Sequence, residues 1–348
     1  MARPRCVYSE CFLPSSGERL LLVNRRAFVG GLTSGVLAAA RLVFAQPARR
    51  VARIGVLGLA PTADLEGPRP RSRSTEALLS GLRRLGNVYG EHFVTEARGA
   101  EARPERFPSL VAELLRQSVD VIVAAGPALP AIKQATSTVP VIMAASVDPV
   151  AQGFVKSLGR PGSNFTGLSL QSVEITGKRL ELLRELVPAA ASVGVVWNRA
   201  NVLNWRAAEA AARDQKWKAI SLEIQALGDL DAALSTAARA KAGGLVVFAA
   251  GVLYPHAARV VQLAARHRLP AIYELRSYVE AGGLMCYGAD INDIWRRAAV
   301  FVDRILKGAR PTDLPIEQPS EFELVINRRT ARALGLTIPA SMVLRAEE

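Results

Sequence analysis

From residue 51 onward, short apolar runs alternate with segments whose apolar positions recur every three to four residues. The β-branched run at 51–59 predicts a strand. Residues 75–85 predict a helix that stops at Gly86, and 92–97 a second strand. Phe107, Leu110, Val111, Leu114 and Leu115 fall at i, i+3, i+4, i+7 and i+8, one face of an amphipathic helix. Apart from Asp120, the runs at 119–125 and 139–145 contain nothing polar, as expected of strands buried on both faces of a parallel sheet. A short helix at 128–136 separates them.

The pattern then restarts. Helices are expected at 178–187, 205–217, 230–240 and 255–267, with strands at 192–197, 219–224, 244–249 and 270–273 between and after them. Strands separated by helices of about 10–15 residues imply βαβ units and parallel sheets. Two such series in 348 residues predict two α/β lobes of similar size. The turn-rich stretch 159–167 is the expected break between them. A strand at 282–287, a helix at 294–307, a Pro-rich stretch at 311–319, a strand at 322–327 and a helix at 328–334 are too short for a third domain. They are expected to complete the other two. Lobe 1 is therefore assigned 46–164 plus 285–318, and lobe 2 165–284 plus 319–348.

The first 45 residues have a different character. Arg25 and Arg26 are followed by Phe28, a Gly- and Ala-rich apolar stretch to Ala40, and Val43-Phe44-Ala45. A basic region, an apolar region and a small-residue exit form a secretory signal, and the paired arginines give it twin-arginine character. Cleavage is expected at Ala45/Gln46. The apolar stretch is too short for a membrane-spanning helix, which needs about 20 residues. Signals of this kind begin one or two residues before the arginines, so translation is expected to start at Val23.

Formal charge is +13, and six of the 44 basic and two of the 31 acidic residues lie in 1–45, which leaves +9 after cleavage. The basic residues occur as scattered pairs, such as Arg83-Arg84 and Arg296-Arg297, without interleaved aromatics. This is the pattern of solvated helix faces rather than of a nucleic-acid surface. Cys286 is the single cysteine after position 45, so no internal disulfide is expected. His92, His256 and His267 form no metal-ligand spacing, and no metal or cofactor is expected. There is no G-x-S-x-G elbow and no complete G-x-G-x-x-G. Around Thr176-Gly177-Lys178, Arg179 stands where a phosphate-binding loop needs Ser or Thr. An enzyme is not expected.

Several stretches in combination carry a resemblance: Arg53 to Leu57, Ala131 to Pro140, Asp148-Pro149-Val150, Leu158 to Ser169, Gly177 to Leu183, Ala281 to Met285 and Phe322 to Asn327. Through them the chain resembles the ABC-transporter substrate-binding proteins of the group with tryptophan- and phenylalanine-binding members. The resemblance implies the type I periplasmic-binding fold, two Rossmann-like lobes joined by a multi-strand hinge. It also implies a periplasmic, monomeric carrier that serves an ABC permease and its ATPase and is not itself an integral membrane protein. A sensory ligand-binding component is the alternative, and an exported enzyme a weaker one. The segment Arg69-Pro70-Arg71-Ser72-Arg73 departs from the family in being more basic.

In parallel α/β sheets ligands bind beyond the carboxyl ends of the strands. On lobe 1 that rule selects Pro61, Thr62, Gly126, Pro127, Ala128, Ser146 and Asp148, with Ala60 and Val147 beside them. On lobe 2 it selects Ser169, Asn198, Ala250, Gly251, Tyr273 and Glu274, with Tyr287 at the return crossing. Asp148 or Glu274 is expected to pair with an ammonium group, and Tyr273 and Tyr287 to pack on a side chain. The expected ligand is a small polar metabolite, with an amino acid the leading candidate.

Overall fold

The computed structural model describes residues 50–249 and 251–346. The expected signal segment, with Arg25, Arg26, Phe28 and Ala45, lies outside the described residues, as does Ala250.

Lobe 1 opens with β1 (Ala52–Gly58), a single turn α1 (Thr62–Leu65), α2 (Arg73–Arg84) and β2 (Phe93–Gly99). It continues through α3 (Phe107–Arg116), β3 (Val121–Ala125), α4 (Leu129–Ala135), β4 (Val141–Ser146) and β5 (Phe165–Ser169). The chain then crosses into lobe 2. There α5 (Thr176–Leu186), β6 (Ser192–Trp197), α6 (Val202–Asp214), β7 (Lys218–Glu223), α7 (Leu230–Arg239) and β8 (Leu245–Val247) follow one another. Next come α8 (Ala257–Arg266), β9 (Ala271–Tyr273), α9 (Arg276–Glu280) and β10 (Met285–Gly288). The chain returns to lobe 1 for α10 (Ile291–Leu306). It crosses a third time to β11 (Glu323–Ile326), α11 (Arg328–Ala333) and α12 (Ala340–Val343).

Each lobe is built on one sheet. The first has the order β2-β1-β3-β4-β5 and is parallel throughout; the second has the order β11-β10-β9-β8-β6-β7. In the second sheet only β10 and β11 run antiparallel. Helices cover both faces of each sheet, which is why β4 and β6 are buried at every residue. Side-chain alternation along β1 sends Ile54 and Val56 into the layer under α2 and α10. Leu57 instead joins Phe107, Leu110 and Ile132 under α3 and α4. The layers of lobe 2 divide likewise between Leu222, Leu234 and Val260 on one face and Leu180, Leu183 and Ala208 on the other.

Helices α2 and α10 meet at Gly81. A Cβ there would overlap the Arg296 carbonyl oxygen and lie 2.7 Å from the Ala299 Cβ, so only glycine permits this spacing.

Sheet pairing moves two expected boundaries. Residues 165–169 are an edge strand of lobe 1, with Phe165 opposite Val141, so the turn Arg160 to Asn164 is internal to lobe 1. Residues 285–288 pair with β9 and belong to lobe 2. The crossings lie at 170–175, 288–290 and 317–322. At the third, the chain runs beside β5, with the Ser169 amide donating to the Glu317 carbonyl at 2.9 Å and the Glu317 amide to the Gly167 carbonyl at 2.9 Å.

Candidate functional site

The carboxyl ends of β1, β3 and β4 face those of β8 and β9 across a cleft that holds two adjoining cavities. The first, of about 190 Å³, is mostly apolar: Leu57, Leu59, Leu65, Ala125, Pro127, Ala145, Val147, Leu170, Leu275, Ile291 and Trp295 form much of its wall. Glu274 is the one charged residue on it among the described residues. The second, of about 320 Å³, carries Asp64, Arg71, Arg73, Arg276, Glu280, Asp290 and Glu323. Ala60, Ser72, Ser74, Tyr254, Leu275 and Ile291 line both and form their shared wall.

The lobes touch across this cleft. Arg73 at the start of α2 donates to both carboxylate oxygens of Glu280 at the end of α9, at 3.2 and 3.1 Å. Glu280 also lies 3.7 Å from Arg276, which donates to Glu323 at 2.8 Å. On the opposite side, Gly251 lies against Pro127 so closely that a Cβ would stand 3.0 Å from the proline ring. These contacts are those of a closed arrangement.

Beneath the apolar cavity lies a buried polar cluster. The Glu274 carboxylate accepts from the Ser172 hydroxyl on one oxygen and from the Ala249 amide on the other, at 2.8 Å. The Arg179 guanidinium sits 3.8 Å from Glu274 and donates to the Ser172 and Tyr287 carbonyls at 2.9 and 2.8 Å. Asn204 donates to the Ser172 hydroxyl at 2.7 Å. Burial pushes the Arg179 guanidinium below its usual range, and the Glu274 charge opposes that shift. Ser172 stands in the first crossing and Tyr287 in β10 immediately before the second, so one buried ion pair ties the starts of two hinge segments to the cavity wall.

The profile of the family described as ABC transporter substrate binding protein matches residues 65–348. The chain belongs to that family. It is 26% identical over 269 residues to a tyrosine-binding protein of Clostridioides difficile, covering 76% of this chain and 77% of that one. Among solved structures, a conserved domain protein of Vibrio cholerae superposes with a TM-score of 0.78 at 27% identity, covering 85% of this chain and 99% of the other. The ABC domain of Streptococcus pneumonia in complex with L-Trp superposes with a TM-score of 0.76 at 24% identity, over 85% and 98% of the two chains. The last likeness shows a shared fold. The type I periplasmic-binding architecture expected from the sequence is the one observed.

In this substrate-binding protein, Gly126, Pro127, Gly251 and Glu274 reach the apolar cavity, as do Ala60 and Val147. The other expected site residues do not line it, each for a local reason. Pro61 is exposed at the start of α1, and the Thr62 hydroxyl accepts from the Gly99 amide at 2.9 Å. Ala128 is fully buried core. The Ser146 hydroxyl donates to Gln152 at 2.9 Å. Asp148 accepts from the Val150 and Ala151 amides at 3.1 and 2.9 Å, capping a turn. Ser169 accepts from the Gln171 amide at 3.2 Å, and Asn198 from the Ala200 amide at 3.0 Å. Tyr273 stacks on Tyr278 at 4.9 Å and faces a different cavity, lined by Leu269, Gly283 and Leu334. The Tyr287 ring rests against Phe322 at 5.9 Å, and it is its carbonyl that serves the buried cluster.

Leu65, Leu170, Leu275 and Trp295 also line the apolar cavity, and nothing in their sequence context distinguishes them from core residues. Ser72, the N-cap of α2, and Ser74 in its first turn line both cavities and carry no separate sequence signal. Among the described residues no group of three or more His, Cys, Asp or Glu side chains is placed to hold a metal ion. Nor is any described helix long and apolar enough to cross a membrane.

Proposed function

We propose that this protein is the extracytoplasmic receptor of an ABC-type importer and that its ligand is an amino acid with a large apolar or aromatic side chain. The observation that carries the reading is the interlobe cavity walled by Leu57, Leu65, Leu170 and Trp295, joined to a second cavity rich in charge of both signs. Burying an apolar side chain against such a wall contributes about 1.5–3 kcal/mol, whereas a sugar would leave hydroxyls without partners there. The likeness to a tyrosine-binding protein supports the same ligand class. The basic, apolar and small-residue sequence at 25–45 supports export through a twin-arginine signal, cleavage at Ala45/Gln46 and delivery to a permease with its ATPase.

Titration calorimetry of purified residues 46–348 tests the ligand class, with tyrosine, tryptophan, phenylalanine, glutamate, lysine and a hexose as probes. The aromatic amino acids are expected to bind, and the charged amino acids and hexose to give no heat. Binding confined to the hexose or to glutamate would overturn the assignment.

A further inference from the structure

Among the described residues, seven positions other than glycine have a positive φ. Ser118, Lys216, Lys241 and Arg268 each stand one residue past a helix C-cap, where this conformation closes the last turn. Glu101 and Ala102 form the turn after β2. Gln171, at φ 49°, is the one of the seven that lies in a crossing between the lobes. There its Cβ is crowded by its own backbone, and glutamine lacks the short polar side chain that lets Asn or Asp visit this region.

The hydrogen bonds around Gln171 divide between the lobes. On the lobe 1 side, the Leu170 amide donates to the Ser146 carbonyl at 2.7 Å and the Gln171 amide to the Ser169 hydroxyl at 3.2 Å. On the lobe 2 side, the Gln171 carbonyl accepts from the Ile175 amide at 3.2 Å, at the entrance to α5. Ser172, the next residue, is held by Glu274, Arg179 and Asn204. The first crossing therefore changes lobes at the two dihedrals of Gln171. The other crossings put no residue with a Cβ in this region. At the second, Gly288 pairs with Glu323 in lobe 2 and Ala289 is already in the core of lobe 1. At the third, residues 318–322 span from the Glu317 bond with β5 to the start of β11.

We propose that Gln171 is a strained pivot: closing the lobes turns it into the left-handed region, and opening releases it. The strain opposes closure alone, so it loosens the grip on ligand and favours release. Leu170 and Glu274, which line the apolar cavity, flank the pivot from the two lobes, and ligand packed between them supplies the preference for the closed state that overcomes the strain. The inference rests on the cleft being the ligand site and not on which amino acid it takes.

Glycine adopts a positive φ without steric cost. Gln171→Gly is therefore expected to bind tyrosine, tryptophan or phenylalanine, whichever wild type binds, about tenfold more tightly in titration calorimetry. Its ligand-free melting temperature is expected not to rise, because the open protein has no strain to relieve. Gln171→Ala keeps the Cβ and removes the side-chain amide, and its Kd is expected to match wild type. A glycine variant with wild-type affinity, or an alanine variant that gains as much as the glycine one, would overturn the pivot and leave the amino-acid reading standing. If wild type binds none of the three probes, that reading falls, and the pivot is decided by small-angle scattering of the ligand-free proteins. Gln171→Gly is then expected to be more compact than wild type and Gln171→Ala the same as wild type; equal radii of gyration in all three would sink the proposal.

Discussion

Arg179 and Glu274 face each other at 3.8 Å inside lobe 2, their side chains 1% and 4% exposed. The pair spans from α5 to the end of β9, and its hydrogen bonds also reach the Ala249 amide, Ser172 in the first crossing and the Tyr287 carbonyl just before the second. Removing one member leaves an uncompensated buried charge, which costs about 3–5 kcal/mol. Arg179→Leu is therefore expected to lower the unfolding free energy by about that amount in urea titrations monitored by circular dichroism. A loss under 1 kcal/mol would mean that the interior tolerates the lone carboxylate and that the pair is dispensable.

Gly81 and Gly177 offer opposite outcomes for the same substitution. Alanine in a helix interior is favoured over glycine by about 1 kcal/mol. At Gly177, in the first turn of α5, the nearest atom to a new Cβ is that of Ala211 at 3.9 Å, so Gly177→Ala is expected to raise the melting temperature. At Gly81 the new methyl would collide with α10, and Gly81→Ala is expected to cost about 1–3 kcal/mol despite the better propensity. Shifts of the same sign in the two variants would contradict the close approach of α2 and α10.

Contact between Gly251 and Pro127 exists only while the lobes are together. Gly251→Val is expected to strain that state by about 1–3 kcal/mol, a roughly 5- to 150-fold rise in Kd. The ligand-free melting temperature should barely change, since the strain vanishes on opening. Small-angle scattering with saturating ligand would show the variant remaining more extended than wild type. Equal radii of gyration would place the effect elsewhere.

Cys286 makes stability fall in alkali. Burial in β10 pushes its thiol up to about 12 from the ordinary value of 9.0. The unfolded chain thus releases this proton in a pH range where the folded chain retains it, and the stabilisation present below pH 9.0 is lost as pH climbs toward 12. The slope for one proton is at most about 1.4 kcal/mol per pH unit. Burial also raises the phenols of Tyr273 and Tyr278, which extends the loss above pH 10.0. Urea midpoints measured from pH 8 to 11 are expected to decline. Cys286→Ala should flatten the part that begins near 9 and leave the tyrosine part. An unchanged profile in the variant would remove the thiol from the account.

Arg73 and Glu280 are both substantially exposed, so their cross-lobe pair contributes about 0.2–1 kcal/mol to closure. Arg73→Gln should consequently weaken ligand binding by no more than a few-fold at low salt and by less at 1 M salt, where the screening length is about 3 Å. A salt-independent effect would remove the ion pair from the account of closure.

The alternating fold was legible because parallel strands under two helix layers must be almost wholly apolar, as 121–125 and 139–145 are. β5 was not, since Phe165-Thr166-Gly167-Leu168-Ser169 follows a Pro-Gly turn and reads as loop; the register with Met143 and Val141 makes it a strand. The cleft was partly legible. Gly126 and Glu274 follow strands directly, where the carboxyl-end rule applies. Asp148 stands two residues past β4, and its carboxylate is consumed by amides two and three residues on, a local competition that no strand-end rule registers. Trp295 and Leu65 come to the cavity from α10 and α1, and only the long-range return of the chain brings them there.

That return orders the assembly of the molecule in time. The layer over β1, β3 and β4 is closed by Trp295, Ala298, Ala299 and Val302, more than 200 residues after Ile54, and β10 lacks its edge partner until β11 is made. Neither lobe is a contiguous stretch of sequence, so a chain still emerging from the ribosome at residue 290 has two unfinished cores. Long-range closure of this kind slows folding, and a transport route that accepts only folded cargo would have to wait for nearly the last residue.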